Sequence, residues 1–146
     1  MATFTKINDF VEHLAEKVHN LSSDTITVAL SNTAPASETN NPTTDTKGVL
    51  ANVTQISYTY CSSRAITISA SAQTSGTYKL TLSDITLTAS GGSVGAFRYV
   101  YIYNDTPTSP ADPLIAVYDY GSSITLASGE SILIDFDGTN GFLTIA

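Results

Sequence analysis

Alternation of apolar and other residues with a period of two marks most of the chain after residue 25, and this pattern is typical of β-strands. The clearest case runs from Phe97 to Tyr103, and a second run from Leu114 to Tyr120 follows a proline-containing loop. Together they predict two antiparallel strands with one aliphatic and one tyrosine-rich face. The tyrosine face is a candidate subunit interface, formed by Tyr99, Tyr101, Tyr103, Tyr118 and Tyr120.

The N-terminal part of the chain has a different pattern. Between residues 4 and 21, apolar residues recur at steps of three and four, which predicts an amphipathic α-helix over 4–21. Two interpretations of this helix are open: it packs across the sheet of its own chain, or it is an arm that docks on a neighbouring subunit. His13 and His19 would lie on different faces of such a helix, at surface positions.

Short apolar segments separated by Gly, Ser and Asn turns continue to the C-terminus. They predict a mainly β fold, a β-sandwich or jelly-roll-like domain with one N-terminal amphipathic α-helix. We expect 1–146 to be a single domain, with the helix at 4–21, the sandwich at 25–146 and a long polar surface loop at 31–47. The predicted core comprises Ile26, Val28, Ile66, Ile68, Leu80, Val100, Ile102, Ile115, Val117, Ile132 and Ile134.

Composition narrows the classes of function. Of 146 residues only 13% are charged, below the typical ~25% of globular domains, and the formal net charge is −7. A nucleic-acid partner bound through phosphate neutralisation is therefore not expected. The single cysteine excludes an intramolecular disulfide. No apolar run has the length of a membrane span or a signal peptide, so we expect synthesis in a cytoplasm and no membrane partner.

Little in the sequence indicates catalysis. Two histidines and no nucleophile motif lead us to expect a protein that is not an enzyme and needs no cofactor. The run from Asp135 to Asn140 places oxygen-bearing side chains at alternate positions. Ordinary Asx-turn chemistry at Asp137 and a cation site at Asp135 and Asp137 are both open, and we assign no metal ligand.

Arg98 is one of six basic residues and lies within the most apolar run. A cation among apolar residues needs a partner, and Asp119 in the neighbouring run is the natural candidate. We predict a structural ion pair between Arg98 and Asp119, with a subunit contact as the alternative.

Five stretches of the chain carry a further pattern: 10–21, 24–33, 97–105, 112–121 and 132–138. Together they resemble a group of small structural proteins of tailed bacteriophages. The resemblance covers nearly the whole chain and implies a non-enzymatic virion protein, most simply a capsid decoration or cement protein that binds the assembled capsid and stabilises it. It further implies self-association, often as a homotrimer, contact with the major capsid protein or other virion proteins, and location in the virion after synthesis in the host cytoplasm.

Two other functions stay open. Another virion station, in the neck, the tail or a fibre-associated position, would need the same kind of non-catalytic surface. A carbohydrate-binding β-sandwich is the alternative from a different class, since exposed tyrosines stack on sugar rings.

Overall fold

The computed structural model describes residues 2–35 and 48–146. These residues are mainly β, with one short α-helix and one turn of 3₁₀ helix at Leu50–Asn52. In chain order the other elements are β1 (Thr3–Lys6), α1 (Phe10–Ala15), β2 (Ile26–Ser31), β3 (Ala65–Ile66), β4 (Ile68–Thr74), β5 (Thr77–Leu82), β6 (Ile85–Thr88), β7 (Val94–Asn104), β8 (Leu114–Leu126), β9 (Ser131–Ile134) and β10 (Leu143–Ile145).

The main sheet has five antiparallel strands in the order β1-β8-β7-β2-β3. Strand β7 is central because it pairs with β2 through residues 99–104 and with β8 through most of its length. Its residues from Tyr99 to Asn104 are all buried, so side chains on both faces of this strand are covered. The alternation at 97–103 therefore correctly predicted the middle strand of the fold.

Two smaller antiparallel sheets accompany the main one, with strand orders β10-β5-β4 and β6-β9. Aromatic contacts connect the main sheet to the rest of the chain. The ring centroid of Phe4 in β1 lies 5.8 Å from that of Phe142, which directly precedes β10. Phe136, just after β9, lies 6.2 Å from Tyr118 of β8. One face of the main sheet is thus packed against the segments that adjoin β9 and β10 of the smaller sheets.

The predicted helix over 4–21 is wrong except at its centre, since α1 covers only Phe10–Ala15. Residues 3–6 form strand β1, in which Phe4 pairs with Tyr118 of β8. Two β-branched threonines favour an extended backbone here, and β8 offers an open edge with unpaired hydrogen-bonding groups. The helix ends early because Lys17 has a positive φ of 66°, and the N–H of Val18 turns back to the carbonyl of His13.

The core forms largely where the periodicity predicts it. Nine of the eleven residues in the predicted core are buried, and the other two, Ile68 and Ile132, are partly buried and pack against it. The predicted surface loop at 31–47 lies mostly outside the described residues. Ser31 itself is buried and belongs to β2, so a loop in this region cannot begin before residue 32.

Candidate functional site

The tyrosines of β7 are not an exposed face, which corrects the sequence prediction. Relative exposure is 8% for Tyr99, 0% for Tyr101 and 4% for Tyr103. The Tyr101 hydroxyl donates a 2.7 Å hydrogen bond to the carbonyl oxygen of Thr33. Burial is also the main cause of the raised pKa of Tyr103. These three side chains pack within their own chain and offer little exposed area to a partner.

The tyrosines of β8 face the other side of the sheet. In the observed register Tyr101 pairs with Val117, whereas Tyr118 pairs with Val100. Directly paired residues share a face, so Tyr118 lies with the aliphatic Val100 and opposite to Tyr101. The expectation of one face carrying all five tyrosines is therefore wrong. A register offset by one residue exchanges the faces of a whole strand, and the sequence does not specify the offset.

Tyr118 belongs to an aromatic cluster of the second face. Its ring centroid lies 5.3 Å from that of Phe4 and 6.2 Å from that of Phe136, at edge-to-face or tilted angles. Phe142 completes the cluster, 5.6 Å from Phe136. Such pairs add about 0.5–1.5 kcal/mol each beyond their buried area. The cluster holds the Tyr118 ring in place while its edge reaches the surface.

A surface groove of about 850 Å³ opens beside this cluster. Tyr120 and Leu133 on its rim are 49% and 57% exposed. Tyr120 is exposed because β1 begins at Thr3, opposite Asp119, so in the described part of the chain no strand pairs with residue 120 on that side. Pairing of β8 with β7 is also interrupted between Asp119 and Ile124. Main lining residues are Val100, Tyr118, Tyr120, Leu133, Asp135 and Asp137.

The two carboxylates of the groove differ in their availability. Asp137 accepts hydrogen bonds from the backbone N–H of Thr139 and Asn140, and from the Asn140 side chain, at 2.7–2.9 Å. These bonds lower its pKa and form the Asx turn considered from the sequence. The carboxylate of Asp135 has no hydrogen-bond partner among the described residues, so it can accept bonds from a ligand.

Asp135 also influences the neighbouring tyrosine. The pKa of Tyr118 is raised from 10.0 to about 12, first by burial of the phenol and second by the negative charge of Asp135. Both causes disfavour the phenolate. Tyr118 therefore stays a neutral hydroxyl, able to donate or accept a hydrogen bond, over the whole physiological range.

Arg98 and Asp119 form a bidentate ion pair between β7 and β8. The Nε and an Nη of Arg98 donate to the two carboxylate oxygens of Asp119 at 2.8 and 2.9 Å. These bonds lower the pKa of Asp119, and the N–H of Gly121 adds a further bond at 2.8 Å. Both side chains are partly exposed, 41% and 30%, so the pair fastens the strands at the surface.

The sequence interpretation missed a second cluster, around the histidines. Both were expected at the surface, but His13 and His19 are buried, at 8% and 7% exposure. Their ring centroids lie 6.1 Å apart, and Asn104 of β7 lies beside His19. Because α1 ends at Ala15, His19 lies outside the helix, and helical spacing does not determine where it lies relative to His13. The only signal for the cluster in the sequence was the apolar surroundings of His13 and His19.

Among residues 2–35 and 48–146, no group of three or more His, Cys, Asp or Glu side chains is placed to hold a metal ion. In the same residues no helix is long and apolar enough to cross a membrane. The chain matches no protein-family model, no curated protein and no solved structure.

Proposed function

We propose that this protein is a non-enzymatic structural protein of a virion, which decorates an assembled phage capsid and stabilises it. Within this proposal the small sheets and the main sheet form a β-sandwich of the jelly-roll-like kind. The observation that carries the proposal is the groove with its exposed rim of Tyr120 and Leu133. Tyrosine supplies a large, rigid contact area at low entropic cost, and large exposed apolar side chains gathered at one place are typical of protein contacts.

The occupant of the groove is an extended segment of the capsid protein that carries apolar residues and a lysine or arginine. Charge complementarity supports this choice, because the carboxylate of Asp135 lacks a partner in the described chain and the protein has a net charge of −7. Tyr118 and Tyr120 line the same groove, and their ring faces attract a cation. Homotrimer formation is part of the proposal, and its contacts lie outside the buried tyrosines of β7.

Capsid binding by rim variants tests this function. Tyr120→Asp and Leu133→Asp place a charge on the rim, and we expect both to be released when capsids carrying the protein are sedimented. Val11→Asp is the matched control, since Val11 is also an exposed apolar residue, at 54%, but lies on α1. Retention of both rim variants on the capsid would refute the groove as the contact. Loss of the trimer in the rim variants alone would show that a second copy fills the groove.

Copy number separates decoration from the other virion stations. Quantitative mass spectrometry of purified virions is expected to show many copies for a decoration protein and few for a neck, tail or fibre-associated protein. Absence of the chain from purified virions would contradict every virion role.

A carbohydrate ligand is the second candidate function, and a specific observation favours it. A groove of about 850 Å³ is lined by two tyrosine rings and by Asp135, whose carboxylate has no partner within 2–35 and 48–146, and its volume is within the size range of small-molecule sites. Sugar hydroxyls donate to a carboxylate such as Asp135, and sugar rings stack on aromatic faces. A glycan array with the parent protein and Asp135→Asn tests it. Binding that is lost in Asp135→Asn supports the carbohydrate site, and no binding to any glycan rejects it.

A further inference from the structure

The side-chain orientation of Asn104 determines the protonation state of a buried histidine. Oδ1 of Asn104 accepts a 3.1 Å hydrogen bond from the backbone N–H of Thr106. The amide nitrogen Nδ2 therefore points the other way, 2.6 Å from Oδ2 of Asp24 and 3.1 Å from Nδ1 of His19. Nδ2 has two hydrogens and donates one to each neighbour.

His19 must accept this bond with an unprotonated Nδ1. Its ring is then neutral and carries its proton on Nε2. A charged ring would carry a proton on both nitrogens, so an N–H on Nδ1 would face the N–H of Asn104. Two donors cannot share a hydrogen bond, and the contact between His19 and Asn104 would break. The network holds only while His19 is neutral.

Among the described residues, nothing else near the ring stabilises a charge well. Nε2 of His19 and Nδ1 of His13 are buried without a hydrogen-bond partner among the described residues. The titratable and charged groups around His19 are His13 of α1, Asp24, and Lys17 and Tyr78, which border the shallow groove beside it. Of these only Asp24 favours the imidazolium, and its Oδ2 already accepts bonds from Asn104 and from the N–H of Asn20.

We propose that the hydrogen bonds of Asn104 to His19 and Asp24 form a proton-sensitive latch, which holds residues 10–24 on the main sheet and opens in acid. The held segment contains α1, whose six residues are too few to be stable alone. Opening exposes the buried side chains of Phe10 and Leu21. The latch is independent of the proposed function, because none of its residues lines the surface groove beside Tyr118 and Tyr120.

The direction of the pH effect follows from the pKa. Burial, and then the proximity of His13, lower the pKa of His19 from 6.5 to about 4, against the opposing effect of Asp24. The open segment binds the proton more readily, so stability from the latch is complete above pH 6.5 and is lost as pH falls towards 4. With these two values, the closed-to-open ratio at pH 5 is about 30-fold lower than at pH 7.5.

Two measurements on the full chain test the latch. The ring resonances of His19, followed by NMR, are expected to titrate with a midpoint well below 6.5. Hydrogen exchange, corrected for the intrinsic effect of pH, is expected to show the ~30-fold loss of protection at pH 5 in residues 10–24 but not in 99–103.

His19→Asn is the decisive variant, because an Asn side chain can place its Oδ1 near the position of Nδ1 and accept from Asn104 without titrating. Protection of residues 10–24 is expected to persist to pH 5 in His19→Asn and to be lost in the control His13→Gln, which retains His19. Loss at the same pH in parent and His19→Asn would overturn the latch, as would a His19 midpoint at or above 6.5. If His19→Asn does not fold, the midpoint in the parent decides.

Discussion

Tyr101 of β7 and Tyr120 of β8 are the same residue type on adjoining strands, yet one is fully buried and the other is 49% exposed. Tyr101 pairs with Ala29 on one side and Val117 on the other. Tyr120 lies beyond the end of β1 and within the interruption of pairing between β7 and β8. The difference shows that the position of a residue within the sheet, rather than the residue type, decides which tyrosines can meet a partner.

The largest expected effect contrasts these two residues directly. Tyr101→Ala removes a fully buried aromatic ring and is expected to lower the free energy of unfolding by about 3–5 kcal/mol. Tyr120→Ala is expected to change it by less than about 0.5 kcal/mol, since the ring is a rim residue. Urea unfolding of both variants measures the contrast.

Tyr101→Phe is the control for the ring itself. It keeps the aromatic ring and loses the hydrogen bond from the hydroxyl to Thr33, for which we expect about 1 kcal/mol. Equal losses of unfolding free energy in Tyr101→Ala and Tyr120→Ala would contradict the difference in burial between these two side chains.

Tyr118, which is partly buried, is expected to have an intermediate effect on the free energy of unfolding at high pH. Its folded pKa of about 12 lies above the ordinary 10.0, so the folded state keeps the proton longer than the unfolded state. The resulting stability is complete below pH 10 and is lost as pH rises to 12. Because the phenol reaches the groove, we expect only about 1 kcal/mol.

Unfolding measured from pH 9 to pH 12 in the parent and in Tyr118→Phe isolates this contribution. Tyr58 and Tyr103 also have pKa values raised by burial and give the parent a similar slope, so the difference between the two proteins is the relevant quantity. Parallel curves would show that Tyr118 titrates in the folded state as it does in the unfolded one.

The smallest effect on the free energy of unfolding is expected from the ion pair of Arg98 and Asp119, which joins β7 and β8 at the surface. Asp119→Asn weakens both bonds from Arg98, but solvent screens a partly exposed pair, so the midpoint of urea unfolding should move less than in Tyr118→Phe. The lowered pKa of Asp119 implies that the stability from the pair is present above its ordinary 3.8 and is lost as pH falls below it.

A double-mutant cycle with Arg98→Ala and Asp119→Asn measures the coupling between the two side chains. A coupling larger than the effect of Tyr118→Phe would place the ion pair among the main determinants of this edge, contrary to our ranking.

Local pattern alone determined much of the fold. The alternation at 97–103 was sufficient to predict β7, and the spacing of Ile26 and Val28 was sufficient to predict the buried strand β2. These predictions succeed because burial on one face of a strand depends on neighbours two residues apart in the chain. The same reasoning identified the mainly β class and most of the core.

Tertiary structure decided the faces, the N-terminal segment and the histidine cluster. Whether Tyr118 faces Tyr101 or Val100 depends on a register offset of one residue, which is set by contacts between distant parts of the chain. Residues 3–6 became a strand because β8 presented an open edge, although their spacing also suits a helix. His19 and Asn104 are 85 positions apart. Only the folding of the N-terminal segment onto β7 brings them together, because their hydrogen bond is a product of packing and has no local signature in the sequence.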